Sequence, residues 1–365
     1  MPLFKVTFLI STNRIAAHFF SEKNFAAASH KTHATLTWGM PCTQGRACVC
    51  GFYVDCPARY TAAEVNASAA QWNPSRPEDA ALLRHRRNVA AHKCGSMVRT
   101  AAAAFRNVGD NNSGTLDTGG WCLIAPGATA KPVKYTRVEL ENNQSYYLPR
   151  PHVAADSVIV KYLGALLSGC DAHMICRARQ GSCPPCNGGV GRYSINDFGA
   201  GIGQYGHALL SADPRHRWSG YDGAGNVEEV TDGFVQFFDL TLPLSLPRAD
   251  WVLSLEVGEH IPRDYEMNYL RNLHAHNCRG MVLSWAYLGK WGVGHVNTHS
   301  GAYLLNATAA LGYTLDQSAT QLLKNSRQRR DRHSGTPNVS APWSWLRTVA
   351  VYRRVTPLTG GGCAP

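Results

Sequence analysis

The stretch Ser194-Ile195-Asn196-Asp197-Phe198-Gly199-Ala200-Gly201-Ile202-Gly203-Gln204-Tyr205-Gly206 constrains this chain more than any other. It reads as a short strand ending at Asp197, a glycine turn, and the first turn of a helix that His207-Ala208-Leu209-Leu210 continues. Glycines here open backbone conformations closed to residues with a Cβ and let a ligand approach the main chain. The following helix start offers free N–H groups and a positive dipole end. Two ligand classes fit. Gly201-x-Gly203-x-x-Gly206 matches the dinucleotide fingerprint, with Asp222 the acid expected about 20 residues on. The acid ahead of the first glycine, Asp197, is not part of that fingerprint and asks for a different ligand.

Strand and helix signals alternate from this point, which argues a doubly wound α/β sheet. Residues 218–222 form a second strand, 234–239 a third, 250–256 a fourth, 280–286 a fifth, 312–316 a sixth and 348–353 a seventh. Helices are expected over 156–168, 264–277, 298–311 and 318–325, and a loop over 169–191. In open α/β sheets ligands bind at the carboxyl ends of the strands. The first four strands here end in Asp197, Asp222, Asp239 and Glu256. A core strand gains nothing from a terminal carboxylate, whereas a cationic, hydroxyl-rich ligand needs several.

Asp197-Phe198-Gly199-Ala200-Gly201-Ile202-Gly203, Tyr221-Asp222-Gly223, Asp239-Leu240 and Glu256-Val257-Gly258-Glu259-His260-Ile261-Pro262 together resemble the class I S-adenosylmethionine-dependent methyltransferases. The resemblance covers roughly residues 155–355. It implies a mostly parallel seven-stranded sheet in the order 3-2-1-4-5-7-6, strand seven antiparallel, preceded by an N-terminal extension. It implies S-adenosylmethionine as cofactor, held by Asp197, Gly199, Gly201, Gly203, Asp222, Asp239 and Glu256. Asp197 then faces the methionine amino group, Asp222 the ribose hydroxyls and Asp239 the adenine amine. The reaction expected is methyl transfer to an O or N nucleophile. An NAD(P)-dependent oxidoreductase and a non-catalytic or RNA-binding protein on the same fold are the alternatives.

Glu256, Glu259 and His260 have i, i+3, i+4 spacing and share one face of a helical turn. Glu259 or His260 is then a general base or orients the acceptor. The trio, with His295 as a fourth ligand, is also a chemically reasonable divalent-metal set. A metal is not expected, because many methyltransferases carry this segment without one. The loop Gly289-Lys290-Trp291-Gly292-Val293-Gly294-His295-Val296-Asn297-Thr298-His299 brings glycines, an aromatic and polar groups to a strand end, so His295 and Asn297 join the candidate acceptor site.

The 365 residues carry a formal net charge of +11. The basic runs Arg84-His85-Arg86-Arg87 and 327–333 have no interleaved aromatics, as single-strand stacking requires. A small-molecule acceptor is therefore preferred to RNA, and the runs read as solvated loops. No apolar run reaches the length of a membrane span. A cytoplasmic location is expected, with an organelle transit peptide at residues 1–20 the alternative. Residues 1–150 read as an unassigned extension, part of it disordered, with helices at 61–70 and 77–91. The second carries an apolar stripe at Ala81, Leu82 and Val89. Residues 151–356 form the methyltransferase-like domain and 357–365 a flexible tail. Of 12 cysteines, Cys170, Cys176, Cys183 and Cys186 (with His173 among them) are candidates for zinc. Pairing requires an oxidising compartment, and free thiols are the default. Oligomeric state is not legible.

Overall fold

The computed structural model describes chiefly residues 60–71, 75–99, 155–178, 192–243, 245–290, 294–333 and 347–360, with shorter pieces elsewhere. Residues 1–49 and 50–365 are two compact units. The first holds β1 (Thr7–Ser11), β2 (Arg14–Ala16) and β3 (Ala34–Thr35), paired antiparallel in the order β2-β1-β3. The second begins a hundred residues before the boundary that composition suggested. It contains α1 (Ala62–Gln71), α2 (Pro77–Arg99) and the antiparallel pair β4 (Tyr135–Glu139) and β5 (Ser145–Pro149). Then come α3 (Ser157–Leu167), α4 (Asp171–Ala178), β6 (Ser194–Phe198), α5 (Gln204–Ala212), β7 (Arg217–Asp222), α6 (Val227–Val230) and β8 (Val235–Phe237). The chain finishes with β9 (Ala249–Leu255), α7 (Glu266–Ala275), β10 (Asn277–Ser284), α8 (Gly301–Ala310), β11 (Tyr313–Leu315), α9 (Gln317–His333) and β12 (Ala350–Arg354).

The main sheet runs β8-β7-β6-β9-β10-β12-β11, the expected order 3-2-1-4-5-7-6. It is mixed rather than mostly parallel. β12 pairs antiparallel with both β10 and β11, and the other neighbours pair parallel. After α9 the chain re-enters from the far end of the sheet. Gly280, early in β10, therefore lies opposite Arg353, near the end of β12.

Both faces of the sheet are covered, so its central strands are apolar without a break, as burial on two sides requires. Successive side chains still part to opposite faces. Trp251 and Leu253 join Val282, Val351 and the helix residues Ile159, Leu163, Leu166, Leu209 and Leu323 on one side. Val252, Met281 and Leu283 join Tyr269, Leu270, Leu273, Trp285 and Leu304 on the other. α3 explains itself from sequence. Ile159, Tyr162, Leu163, Leu166 and Leu167 form its buried stripe, and Asp156 caps it by accepting from the Val158 and Ile159 amides at 2.7 and 3.2 Å.

Four expectations are corrected. The segment 169–191 is not all loop: α4 lies within it, with Met174 and Ile175 packed on the α3 side. The inward stripe of α2 is Leu83, Ala90 and Cys94, whereas Leu82 and Val89 are exposed. The shift of one position rotates the helix face by 100°, which a stripe defined by only three residues does not resist. Among the described cysteines none is a free thiol. Cys94 bonds Cys122 and Cys278 bonds Cys363, while Cys170 and Cys176 are also disulfide-bonded, which removes them as thiolate zinc ligands. Cys183 and Cys186 lie outside the described residues. The last correction is at the tail, which is fastened rather than loose: Leu358 N–H donates to the Cys278 carbonyl at 2.9 Å beside the disulfide. No helix among the described residues is long and apolar enough to cross a membrane.

Candidate cofactor and acceptor site

The glycine turn is tied to its neighbour strand. The Gly199 and Ala200 amides donate to the Tyr221 carbonyl at 2.8 and 3.0 Å. Gly199 has φ +79°, and a Cβ there would stand 2.2 Å from Val257 Cγ2, so conformation and space both exclude a side chain. Asp222, at the end of β7, holds two loops at once. One oxygen accepts from Gly201 N–H and the other from Ala224 N–H, both at 2.8 Å. Burial still raises its pKa to about 6, against those hydrogen bonds. Asp197 is buried and accepts from Trp218 Nε1 at 3.2 Å. Burial raises it to about 7, offset in part by the indole and helped by the nearby Asp222 charge.

Asp239 follows β8 and is 1 % exposed. Its Oδ1 accepts from the Thr241 amide and hydroxyl at 3.0 and 2.6 Å, while Oδ2 has no hydrogen-bond partner. Burial raises its pKa. The nearby Arg86 charge lowers it in part, less than burial raises it. Glu256, after β9, takes the left-handed region at φ +56° and accepts from Ser284 Oγ at 3.0 Å. Asp197, Asp222, Asp239 and Glu256 thus stand at or just after the carboxyl ends of four adjacent strands, β6, β7, β8 and β9.

Sequence reasoning missed the cover over these strand ends. Arg84-His85-Arg86-Arg87 is helical, not a solvated loop, because it lies within α2. Arg86 Nε stands 3.9 Å from Asp239 Oδ2, and Arg87 pairs with Glu228. A Cβ on Gly225 would fall 2.1 Å from the Ala90 carbonyl carbon, so α2 lies directly on the loop after β7. Gly120 touches Gly223 in the same way, and the Cys94–Cys122 bond fastens that segment to α2. The run 327–333 falls in α9, with its side chains outside the described residues.

A second cluster lies beyond β9 and β10. Glu259, His260 and His295 bring one ligand atom each to within 4.8 Å of one another. His260 Nδ1 meets the Gly294 carbonyl at 3.1 Å and His295 Nδ1 meets the Lys290 carbonyl at 3.0 Å. The two rings stand edge to face at 5.0 Å. Gly292 leaves room for His295: a Cβ there would be 2.2 Å from its Nε2. Burial lowers the His295 pKa, so the ring is neutral near pH 7. Glu259 is fully buried, and neither carboxylate oxygen has a hydrogen-bond partner by geometry. Burial, then the adjacent Glu256 charge, pushes its pKa well up. Burial raises Glu256 as well.

Asn297 is not brought into this cluster by its side chain. Its Nδ2 donates to Glu266 Oε2 at 2.8 Å, while its amide donates to the Glu259 carbonyl at 3.0 Å. Glu266 is the centre of a buried network that sequence reasoning did not find. Oε2 also meets His299 Nε2 at 2.8 Å, and Oε1 accepts from both Tyr60 and Tyr303 hydroxyls. Burial opposes its ionisation, but His299 and the two tyrosines hold it down at about 2. His299 Nδ1 meets Asp55 at 3.3 Å and its ring stacks on Tyr303 at 3.7 Å. Asp55 and Tyr60 come from a region with no motif, more than 200 positions from their partners. Trp291 lies outside the described residues.

No protein-family model matches the chain, and no curated protein matches it. Solved structures similar to it include magnesium protoporphyrin IX methyltransferase from Synechocystis PCC 6803 with bound S-adenosylmethionine, at 18 % identity, TM-score 0.28, covering 34 % of this chain and 61 % of that one. Another is an O-methyltransferase from a polyketide synthase of Brevibacillus brevis with S-adenosylhomocysteine, at 13 % identity, TM-score 0.30, covering 44 % and 65 %. A third is the mitomycin 7-O-methyltransferase, at 15 % identity, TM-score 0.29, covering 35 % and 44 %. The chain spans about three fifths of the length of the first of these.

Proposed function

We propose that this protein transfers a methyl group from S-adenosylmethionine to an O or N nucleophile, on a small-molecule acceptor. The observation that carries the reading is the set of acids at the ends of four adjacent strands, with the glycine cradle after the first. The chain's own groups fit the cofactor. Asp239 Oδ2 is a buried acceptor without a hydrogen-bond partner, suited to an exocyclic amine. Each Asp222 oxygen spends one lone pair on a loop amide and keeps another for a hydroxyl. Asp197, ionised above pH 7, suits an ammonium group. Bound there, S-adenosylmethionine supplies an electrophilic methyl group on its sulfonium. What remains for the protein is alignment and, for a protonated acceptor, a base. Neutral His295 has its Nδ1 engaged by a carbonyl and offers Nε2 for that proton. The oxidoreductase alternative is weakened by strand order, since the dinucleotide-binding sheet runs 3-2-1-4-5-6 and this one inserts antiparallel β12.

A second reading of the acceptor site is favoured by one observation. Both histidines are anchored through Nδ1 to carbonyls, and both oxygens of buried Glu259 lack hydrogen bonds. Anchored imidazoles beside a buried carboxyl group, whose proton a cation would displace, are what a divalent cation takes as ligands. Glu259, His260 and His295 would hold it, and it would polarise a hydroxyl acceptor. The paired cysteines weigh against a cytoplasmic location, because disulfides persist in oxidising compartments.

The test is methyl incorporation from labelled S-adenosylmethionine across a panel of phenols, alcohols and amines, with and without EDTA. The base reading predicts EDTA-insensitive transfer that His295→Ala slows about 100-fold. The cation reading predicts loss of transfer in EDTA, its return with Mg2+ or Mn2+, and no return in Glu259→Gln. Absence of transfer to every acceptor by a protein that binds the cofactor would remove the small-molecule assignment.

A further inference from the structure

The loop between β10 and α8 carries His295, and loops usually keep their polar side chains at the surface. This one does the opposite. Asn297, Thr298 and His299 are each 1 % exposed, while the adjacent Val296 is 55 % exposed. Asn297 and His299 turn inward to Glu266, itself 1 % exposed at the first position of α7.

An acid at a helix start has an ordinary use, which is to meet the positive end of the dipole. That accounts for the residue type. It does not account for four side-chain partners, Asn297, His299, Tyr303 and Tyr60. Stability does not account for them either. A buried charge is costly to desolvate, and apolar side chains of similar volume often serve stability as well. What a satisfied buried network supplies is one fixed arrangement. Burial opposes ionisation of Glu266, but its partners hold it at about 2, so it remains a carboxylate that only accepts. Asn297 must then present Nδ2 to it, at 2.8 Å, and the amide has one orientation.

The backbone of Asn297 is fixed as well. Its carbonyl accepts from Trp285 Nε1 at 2.5 Å. Its amide and that of Val296 donate to the Glu259 carbonyl at 3.0 and 2.7 Å. The segment is thus clamped between Glu266 and Glu259. His295 stands two residues before Asn297, with Nε2 4.0 Å from Glu259 Oε1.

We propose that Glu266 is a positioning residue for the acceptor site, acting through Asn297 to hold His295 against Glu259 and His260. The inference rests on the methyl-transfer reading and serves its base and cation forms alike, since both need His295 in that place. Asn297 is then a support for the site and does not itself meet the acceptor. The stretch ahead of α1 gains a part in the site too, because Tyr60 and Asp55 close the network around Glu266 and His299.

The experiment pairs imidazole 1H–15N spectra of the full chain, labelled at histidine, with methyl-transfer kinetics on each phenol, alcohol or amine that accepts a methyl group. His295→Ala identifies the His295 signal. His216, buried beside α3, reports that the fold is intact. Asn297→Ala removes the tie, and Asn297→Asp sets two carboxyl groups against each other. Glu266→Gln/Asn297→Asp rebuilds the hydrogen bond with donor and acceptor exchanged. The His295 signal is expected to shift and broaden in both single variants, with His216 unmoved, and to return in the double variant. In the single variants kcat falls about 10–100-fold, as misplacement of a reacting group does, while KM for S-adenosylmethionine is unchanged. The double variant recovers most of that loss. A His295 signal unmoved in both single variants overturns the proposal. So does a double variant in which neither the signal nor kcat returns. Absence of transfer by the unmodified protein removes the methyl-transfer reading, and the spectra alone then decide whether Glu266 positions His295.

Discussion

At the scale of single residues, burial sets the chemistry of the strand-end acids. Asp197 is held at about 7 by removal from water, far above an ordinary aspartate. It is therefore half-protonated at neutral pH in the free protein. The sign follows directly. Only the carboxylate pairs with an ammonium, so affinity for S-adenosylmethionine rises as pH rises through 7. Between pH 7 and pH 6 the ionised fraction, and with it the affinity, falls about fivefold. Titration at the two pH values checks this, and Asp197→Asn leaves only the weaker dependence that Asp222, at about 6, contributes. Equal affinities at pH 6 and 7 for the unmodified protein would refute the assignment of Asp197. The acids were legible in sequence because each ends a strand pattern. Their partners were not. Trp218 reaching Asp197, and Tyr60 and Asp55 reaching Glu266 and His299, are contacts that only the assembled chain makes.

At the scale of elements, the seven strands were readable because apolar runs alternate with helical periodicity and the first four end in acids. α4 was not, because an amphipathic helix of only eight residues sits among cysteines, prolines and glycines. The face of α2 was misread because the small residues Ala90 and Cys94, not the large Leu82 and Val89, pack inward. Close packing of strand ends onto the glycine turn gives a sharp prediction. In Gly199→Ala the new methyl meets Val257 at 2.2 Å while the backbone stays at φ +79°. Destabilisation by about 1–3 kcal/mol is expected, measured by denaturant midpoint, together with loss of cofactor affinity. Gly233→Ala is the control. It shares a positive φ of +77° but has nothing within 4 Å of its Cβ, so it should leave affinity unchanged. Equal effects of both on affinity would contradict the close approach at Gly199.

At the scale of the whole molecule, a disulfide joins the tail to the domain that the sequence set apart from it, and a second closes a loop within residues 1–150. Cys278–Cys363 closes a loop of 85 residues around the second half of the sheet, a constraint worth about 4–5 kcal/mol in the chain-entropy account. Cys94–Cys122 spans 28 residues and fastens the cover over the cradle. Reduction is therefore expected to lower the melting temperature of the folded protein by several degrees. Cys278→Ala/Cys363→Ala should reproduce most of the shift, and no change on reduction would contradict these pairings. The central claim concerns the cradle itself. Its most direct test is calorimetric titration with S-adenosylmethionine, S-adenosylhomocysteine and NAD, of the unmodified protein and of Asp239→Ala. The account predicts micromolar binding of the first two, none of NAD, and a loss of about tenfold or more in the variant. Binding of NAD alone, or affinity for S-adenosylmethionine that Asp239→Ala leaves intact, would contradict it.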